Sequence, residues 1–237
     1  MAIGISPCPP FNKRIYLTTL PPPAILLDGN TVAWYRSYIL ATITKDGLNR
    51  VSRWNDFLGS GHDLIGVGAV GTYPVWSNIG IVSVKASSQC LQTGAFAYIQ
   101  PEMIYMVCRQ DAWTVASRLF DGIPSAVGAI TQFAATPALN AYAGASLNNV
   151  NLPLNTWGVI RLLINGVTST FQIDLTASVN GNLGASNMNG FTFTADGIFS
   201  ITGYSDLSCK EIILRKIADT APNQLLIYNY LRSINGI

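Results

Sequence analysis

From Asp28 onward, short apolar runs alternate with turn residues, and only the last stretch is long and periodic enough for a helix. That punctuation constrains the fold more than any other feature, because runs of this length bounded by Gly, Pro, Asn, Asp and Ser are how strands are written. The pattern predicts strands over 32–35, 80–84, 103–109, 117–120, 129–133, 139–143 and 158–164. Asn165-Gly166 is predicted to make a type I′ hairpin turn, with the returning strand over 167–175. Asp196-Gly197 predicts a second such turn between 191–194 and 198–202, and a strand over 210–217 closes the β region. Thr220 then stands as an N-cap with Pro222 in the first turn. Leu225, Tyr228, Leu231 and Ile234 recur at helical spacing until Gly236 stops the helix. The expectation is an all-β chain with one short C-terminal helix.

Composition narrows this further. A single sandwich of 237 residues is ordinary for an all-β chain. Apolar residues are 49% and charged residues 11%, against about 25% charged in typical soluble domains. Such a chain folds rather than staying disordered. The net charge is +2 and the basic residues are scattered, which excludes a nucleic-acid footprint. So few charges suit a surface partly covered by other copies, so a homo-oligomer is expected. The most apolar stretch, 64–84, is broken by glycines and Pro74, so membrane insertion is not expected. The N-terminus has no basic segment followed by an apolar one, so no secretory signal is read there.

Residues 1–28 carry Pro7, Pro9, Pro10 and Pro21-Pro22-Pro23, which favour extended backbone. They are read as a proline-rich arm, with one strand over 14–20, ahead of a domain over 29–237. Cys8, Cys90, Cys108 and Cys209 form no CxxC pair and are expected to be buried thiols, the alternative being a Cys90–Cys108 disulfide.

Several landmarks then follow in order. Trp34-Tyr35-Arg36-Ser37 precedes Trp54-Asn55-Asp56 and Gly59-Ser60-Gly61-His62-Asp63-Leu64. Later come Asp121-Gly122, Thr156-Trp157, Glu211-Ile212-Ile213-Leu214 and Tyr230-Leu231 with Asn235-Gly236-Ile237. This order resembles the laminin-G-like group of the concanavalin A-like lectin/glucanase superfamily. The resemblance implies a jelly roll of two antiparallel sheets, used as an adhesive or structural module in bacterial surface proteins and bacteriophage virions. Trp54 is expected to be buried, Asn55-Asp56 to hold a turn through side-chain hydrogen bonds, and Gly59 and Gly61 to take positive φ.

The superfamily includes glycosidases, which place two carboxyl groups across the scissile bond. Glucanases of this fold carry acids alternating on one strand. This chain has only Glu102 and Glu211 as glutamates, far apart; Glu102 reads as a surface residue and Glu211 as structural. His62 is the only histidine, which excludes a multi-histidine metal centre. The Gly66–Gly71 match to a dinucleotide fingerprint lacks a following helix. Calcium is a common ligand of laminin-G-like domains, but Asp111, Asp121, Asp174, Asp196 and Asp206 are singletons from which no site assembles. No cofactor or metal is therefore expected, and no catalytic residues are assigned.

The chain is read as a non-enzymatic structural or adhesive protein, a bacteriophage virion component located on the particle, with other virion proteins or itself as partner. The alternative is a lectin module at a bacterial cell surface, and a further one an atypical glycan hydrolase. Lectin sites set an aromatic ring against a sugar face beside amide or carboxylate groups. Candidates for glycan contact are Trp113 with Asp111, Trp76, and Tyr142 with Asn148.

Overall fold

The computed structural model describes residues 20–199 and 203–237. The predicted strand over 14–20 and Cys8 lie outside the described residues, as does most of the arm; of that segment, Ala24–Leu27 forms a short 3-10 turn that buries Leu26.

The strands are β1 (Thr31–Arg36), β2 (Ile43–Lys45), β3 (Val51–Trp54), β4 (Leu64–Gly66), β5 (Val75–Ser77), β6 (Gly80–Ser83), β7 (Leu91–Thr93) and β8 (Glu102–Gln110). They continue as β9 (Arg118–Gly122), β10 (Ala129–Gln132), β11 (Ala138–Tyr142), β12 (Ser146–Asn151) and β13 (Gly158–Ile164). The last are β14 (Ser169–Ile173), β15 (Val179–Gly181), β16 (Phe191–Phe193) and β17 (Leu207–Arg215), followed by helix α1 (Ala221–Asn235). All pairings are antiparallel. One sheet runs β15-β14-β13-β8-β17-β6-β5, with β1 also on β17; the other runs β12-β11-β10-β9-β16-β7-β4-β3-β2. The architecture is a two-sheet jelly-roll sandwich with a C-terminal helix.

Three central strands of the first sheet are apolar on both faces because both faces are covered. On β8, Ile104, Met106 and Cys108 face the core between the sheets, among Tyr35, Trp54, Phe120, Phe191 and Phe193. Met103, Tyr105 and Val107 face the other way, under Ile227, Tyr228, Tyr230 and Leu231 of α1. This explains why 103–109 and 158–164 read as continuous apolar runs.

β17 organises the site. One edge pairs with β8 along its length; the other is shared, with β6 on Leu207–Cys209 and β1 on Glu211–Arg215. A bulge lies between Cys209 and Glu211. Lys210 and Glu211 both reach Asn235 of α1, so two successive side chains point to the outer face, as a bulge requires.

The motif residues behave as structural parts. Trp54 is buried, and Asp56 accepts from the backbone N–H of Trp34 at 2.7 Å and of Ser60 at 2.8 Å. Gly59 and Gly61 have φ of 71° and 85°.

Other expectations need correction. The β13–β14 connection is not a two-residue type I′ turn: Asn165 has φ −155° and Gly166–Thr168 forms a 3-10 turn. A type I′ turn needs positive φ at both central residues. Past Asp196-Gly197, Ile198 and Phe199 lie outside any strand, and 200–202 lie outside the described residues. Leu225 is exposed, because the buried face of α1 runs through Ile227, Tyr228, Tyr230 and Leu231. Cys90, Cys108 and Cys209 are buried free thiols as expected, and only the alternative Cys90–Cys108 disulfide fails, the two residues lying in different clusters.

Candidate functional site

Where β1 and β6 part along the shared edge of β17, the surface opens into a cavity of about 500 Å³. Four stretches of chain line it: Ser37, Tyr38 and Leu40 after β1, the β5–β6 hairpin from Trp76 to Gly80, Lys210 at the bulge, and Ile234 and Asn235 at the end of α1. A volume of this size suits a small ligand such as one or two sugar rings.

The walls are fixed by hydrogen bonds. Trp76 is half-buried, and its Nε1 donates to the Ser37 carbonyl at 2.9 Å. The Ser37 N–H donates to the Lys210 carbonyl at 2.9 Å, which ties the chain leaving β1 to the bulge. Gly80 has φ +130°, and a Cβ there would stand 2.3 Å from the Cys209 carbonyl oxygen. Only glycine lets the hairpin close against β17 at this point. Lys210 Nζ donates to the Asn235 carbonyl at 2.7 Å and lies 4.5 Å from the Trp157 ring centroid.

Behind the wall lies a buried polar cluster. Glu211 accepts from Trp34 Nε1 at 2.7 Å and from Asn235 Nδ2 at 2.6 Å, with Arg36 Nε 3.7 Å away. Arg36 also donates to the hydroxyls of Tyr38 at 2.7 Å and Tyr230 at 2.9 Å. Burial pushes the Glu211 carboxyl up to about 7, against opposing hydrogen bonds from Asn235 and Trp34 and the charge of Arg36. Burial likewise raises the Tyr38 hydroxyl well above its usual range, so it stays protonated.

Of the five residues named as candidates for glycan contact, Trp76 alone lines this recess. Asp111 is held by Arg109 at 2.6 Å and accepts from Ser208 Oγ at 2.6 Å, a structural ion pair at the end of β8. Trp113 follows it in a loop, half-buried, with its Nε1 enclosed and unpartnered. Tyr142 ends β11 and Asn148 on β12 accepts from Asn140, at the opposite sandwich edge from β5. The five candidates therefore form no common site. Tyr38, Ser77, Asn78 and Lys210 were not foreseen, and Asn235 was named only as part of the C-terminal landmark; no local pattern marks them as a site, because four separated segments meet there.

Glu102 needs correction too. It is fully buried at the start of β8, where Oε1 accepts from the Met188 N–H at 2.7 Å and Oε2 has no partner. Burial pushes its carboxyl up to about 8.

No family model matches the chain, and no curated protein matches it in sequence. Solved structures similar in fold include a Trypanosoma rangeli sialidase in complex with sialic acid, with TM-score 0.64 and 12% identity over 90% of this chain and 34% of that one. The binding domain of botulinum neurotoxin DC in complex with SialylT is similar with TM-score 0.51 and 10% identity, over 85% of this chain and 51% of that one. The binding domain of serotype D/C neurotoxin gives TM-score 0.54 and 10% identity, over 85% and 52%. The chain thus spans about a third of the sialidase and half of the toxin domain.

At these identities the likeness establishes the sandwich fold. It also overturns the expectation that the chain is not an enzyme, since the same fold occupies about a third of a sialidase chain. That expectation counted acids and imidazoles along the sequence. It took Glu102 for a surface residue and Glu211 for a structural one; both are buried, and burial raises both carboxyls.

Proposed function

We propose that the chain is a laminin-G-like adhesive domain that binds a cell-surface glycan in the recess beside Trp76. The recess itself carries this reading: an indole fixed at its edge, a second aromatic ring at Tyr38, and hydroxyl, amide and ammonium groups from Ser37, Ser77, Asn78, Asn235 and Lys210 around a space of about 500 Å³. Sugars offer apolar ring faces and dense hydroxyls, and a wall of this composition answers both. The sialidase, similar in fold over about a third of its chain, is in complex with sialic acid, and the toxin binding domain, similar over about half, with SialylT; this supports the same reading. We further propose that such a domain serves as a component of a bacteriophage virion, associating with itself or other virion proteins. The resemblance in the Trp54–Leu64 segment, the proline-rich N-terminal segment and the low charge support that placement.

A glycan array read with the full chain tests the binding. The expected result is a defined set of glycans whose affinity falls by about tenfold or more in Trp76→Ala, a loss of about 1.4 kcal/mol. Asn78→Ala, at an exposed lining position, is expected to weaken the same glycans without lowering Tm. An array without hits, or hits indifferent to both substitutions, would sink the reading. Reducing-sugar release from a bound glycan would add hydrolysis to binding.

A further inference from the structure

We infer that the recess prefers an anionic glycan, one carrying a carboxylate, over its neutral counterpart; this rests on the recess being a glycan site. The lining residues include one cation, Lys210, and no carboxylate. Both aromatic rings of the lining also carry a cation. Lys45 Nζ lies 4.8 Å from the Trp76 ring centroid, and the Arg36 guanidinium carbon 4.9 Å from that of Tyr38.

The acid that faces this group from behind is Glu211, 3.7 Å from Arg36. Burial pushes its carboxyl up to about 7, so near neutral pH it is about half protonated and cancels only part of one charge. Asp46 follows Lys45 in the chain but is bound to Arg50 at 2.6 Å, a pair that is neutral together. Tyr230, the other titratable group on the cluster from α1, is held protonated by burial. The field at the mouth is therefore positive.

A recess with low-dielectric walls concentrates such a field, and an ammonium–carboxylate contact is the stronger kind of hydrogen bond. A divalent cation or a polyamine finds no anionic oxygen on this lining. A sugar acid such as a uronate or a nonulosonate satisfies both its hydroxyls and its charge.

Two matched pairs of probes test this with the full chain: sialyllactose against lactose, and oligogalacturonate against its methyl ester. The expected result is tighter binding of the acidic member, by about tenfold, in at least one pair. That preference should shrink in 0.5 M NaCl and in Lys45→Met, an exposed side chain whose loss leaves the cavity lining in place. Equal affinity for both members of each pair that binds, with Trp76 still required, would overturn the charge preference while leaving the glycan reading intact. Binding of none of the four probes, with an array free of hits, would remove both.

Discussion

Arg215→Met is expected to lower the unfolding free energy by about 4 kcal/mol, the usual cost of breaking a buried ion pair from one side. Arg215 is fully buried at the end of β17. Its Nε and one terminal nitrogen grip both oxygens of Asp219 at 2.8 and 3.0 Å. The remaining donors reach the Ile25 carbonyl at 2.6 Å, Thr31 Oγ1 at 2.8 Å and Asp28 at 3.0 Å. One side chain thus pins the segment before β1 and the chain entering α1 to the same strand end. Methionine fills the volume and satisfies none of these groups. Asp219, fully buried in its side chain, would keep only the Tyr105 hydroxyl, 2.9 Å away, as a side-chain donor to its carboxylate. A fall in Tm of about 10 °C is expected for a domain of this size, and a midpoint within a degree of wild type would refute the assignment. Asp28 adds a pH signature. Burial raises its carboxyl, but hydrogen bonds from Arg215 and Asn30 outweigh this and hold it at about 2, so its contribution is present above its ordinary pKa of 3.8 and is lost as pH falls towards 2.

Glu102→Gln is expected to stabilise the protein at pH 8 by about 2 kcal/mol or more and to leave it nearly unchanged at pH 4.5. Glu102 sits at about 8 in the fold against 4.5 when exposed, because burial penalises its charged form. A raised carboxyl favours the folded state below its unfolded pKa, and that advantage drains away as pH rises through the folded value. The window is therefore about 4.5 to 8, and Glu211, raised to about 7, adds to the same slope. Glutamine keeps the carbonyl that accepts from Met188 and cannot ionise, so its profile should be flatter. Thermal melts of both proteins from pH 4 to 9 decide it. Superimposable profiles would mean that Glu102 meets water or a cation in solution.

The sequence showed the sandwich through its longest elements. β13 lies where the run over 158–164 placed it, and α1 follows its Thr220, Pro222 and Gly236 signals. The three-residue strands β2, β4, β5, β7 and β15 were not separable from loops, since so few residues show no period, whereas β16 falls within the predicted strand over 191–194. Glu102 looked exposed because charge and a preceding proline suggest a surface, whereas register with Ile164 places it within the sheet. The recess was nearly invisible for a related reason. Its parts come from residues 37–40, 76–80, 210 and 234–235, and they meet only because a bulge doubles Lys210 and Glu211 onto one face. Trp76 was legible as an aromatic and no more; neighbours supplied by pairing leave no mark on local spacing.

The divided edge of β17 separates two kinds of change that a protein surface must undergo. The rim is furnished by a hairpin tip, a helix end and the tail of one strand, while the hydrophobic interior is furnished by the strands beneath them. Substitution or lengthening at Asn78 or beyond Asn235 would reshape what the mouth admits without disturbing the aromatic packing around Trp54 and Phe191. A scaffold arranged this way can drift towards new ligands while its melting behaviour stays nearly constant, and libraries randomised at those two rims are the natural place to look for altered recognition.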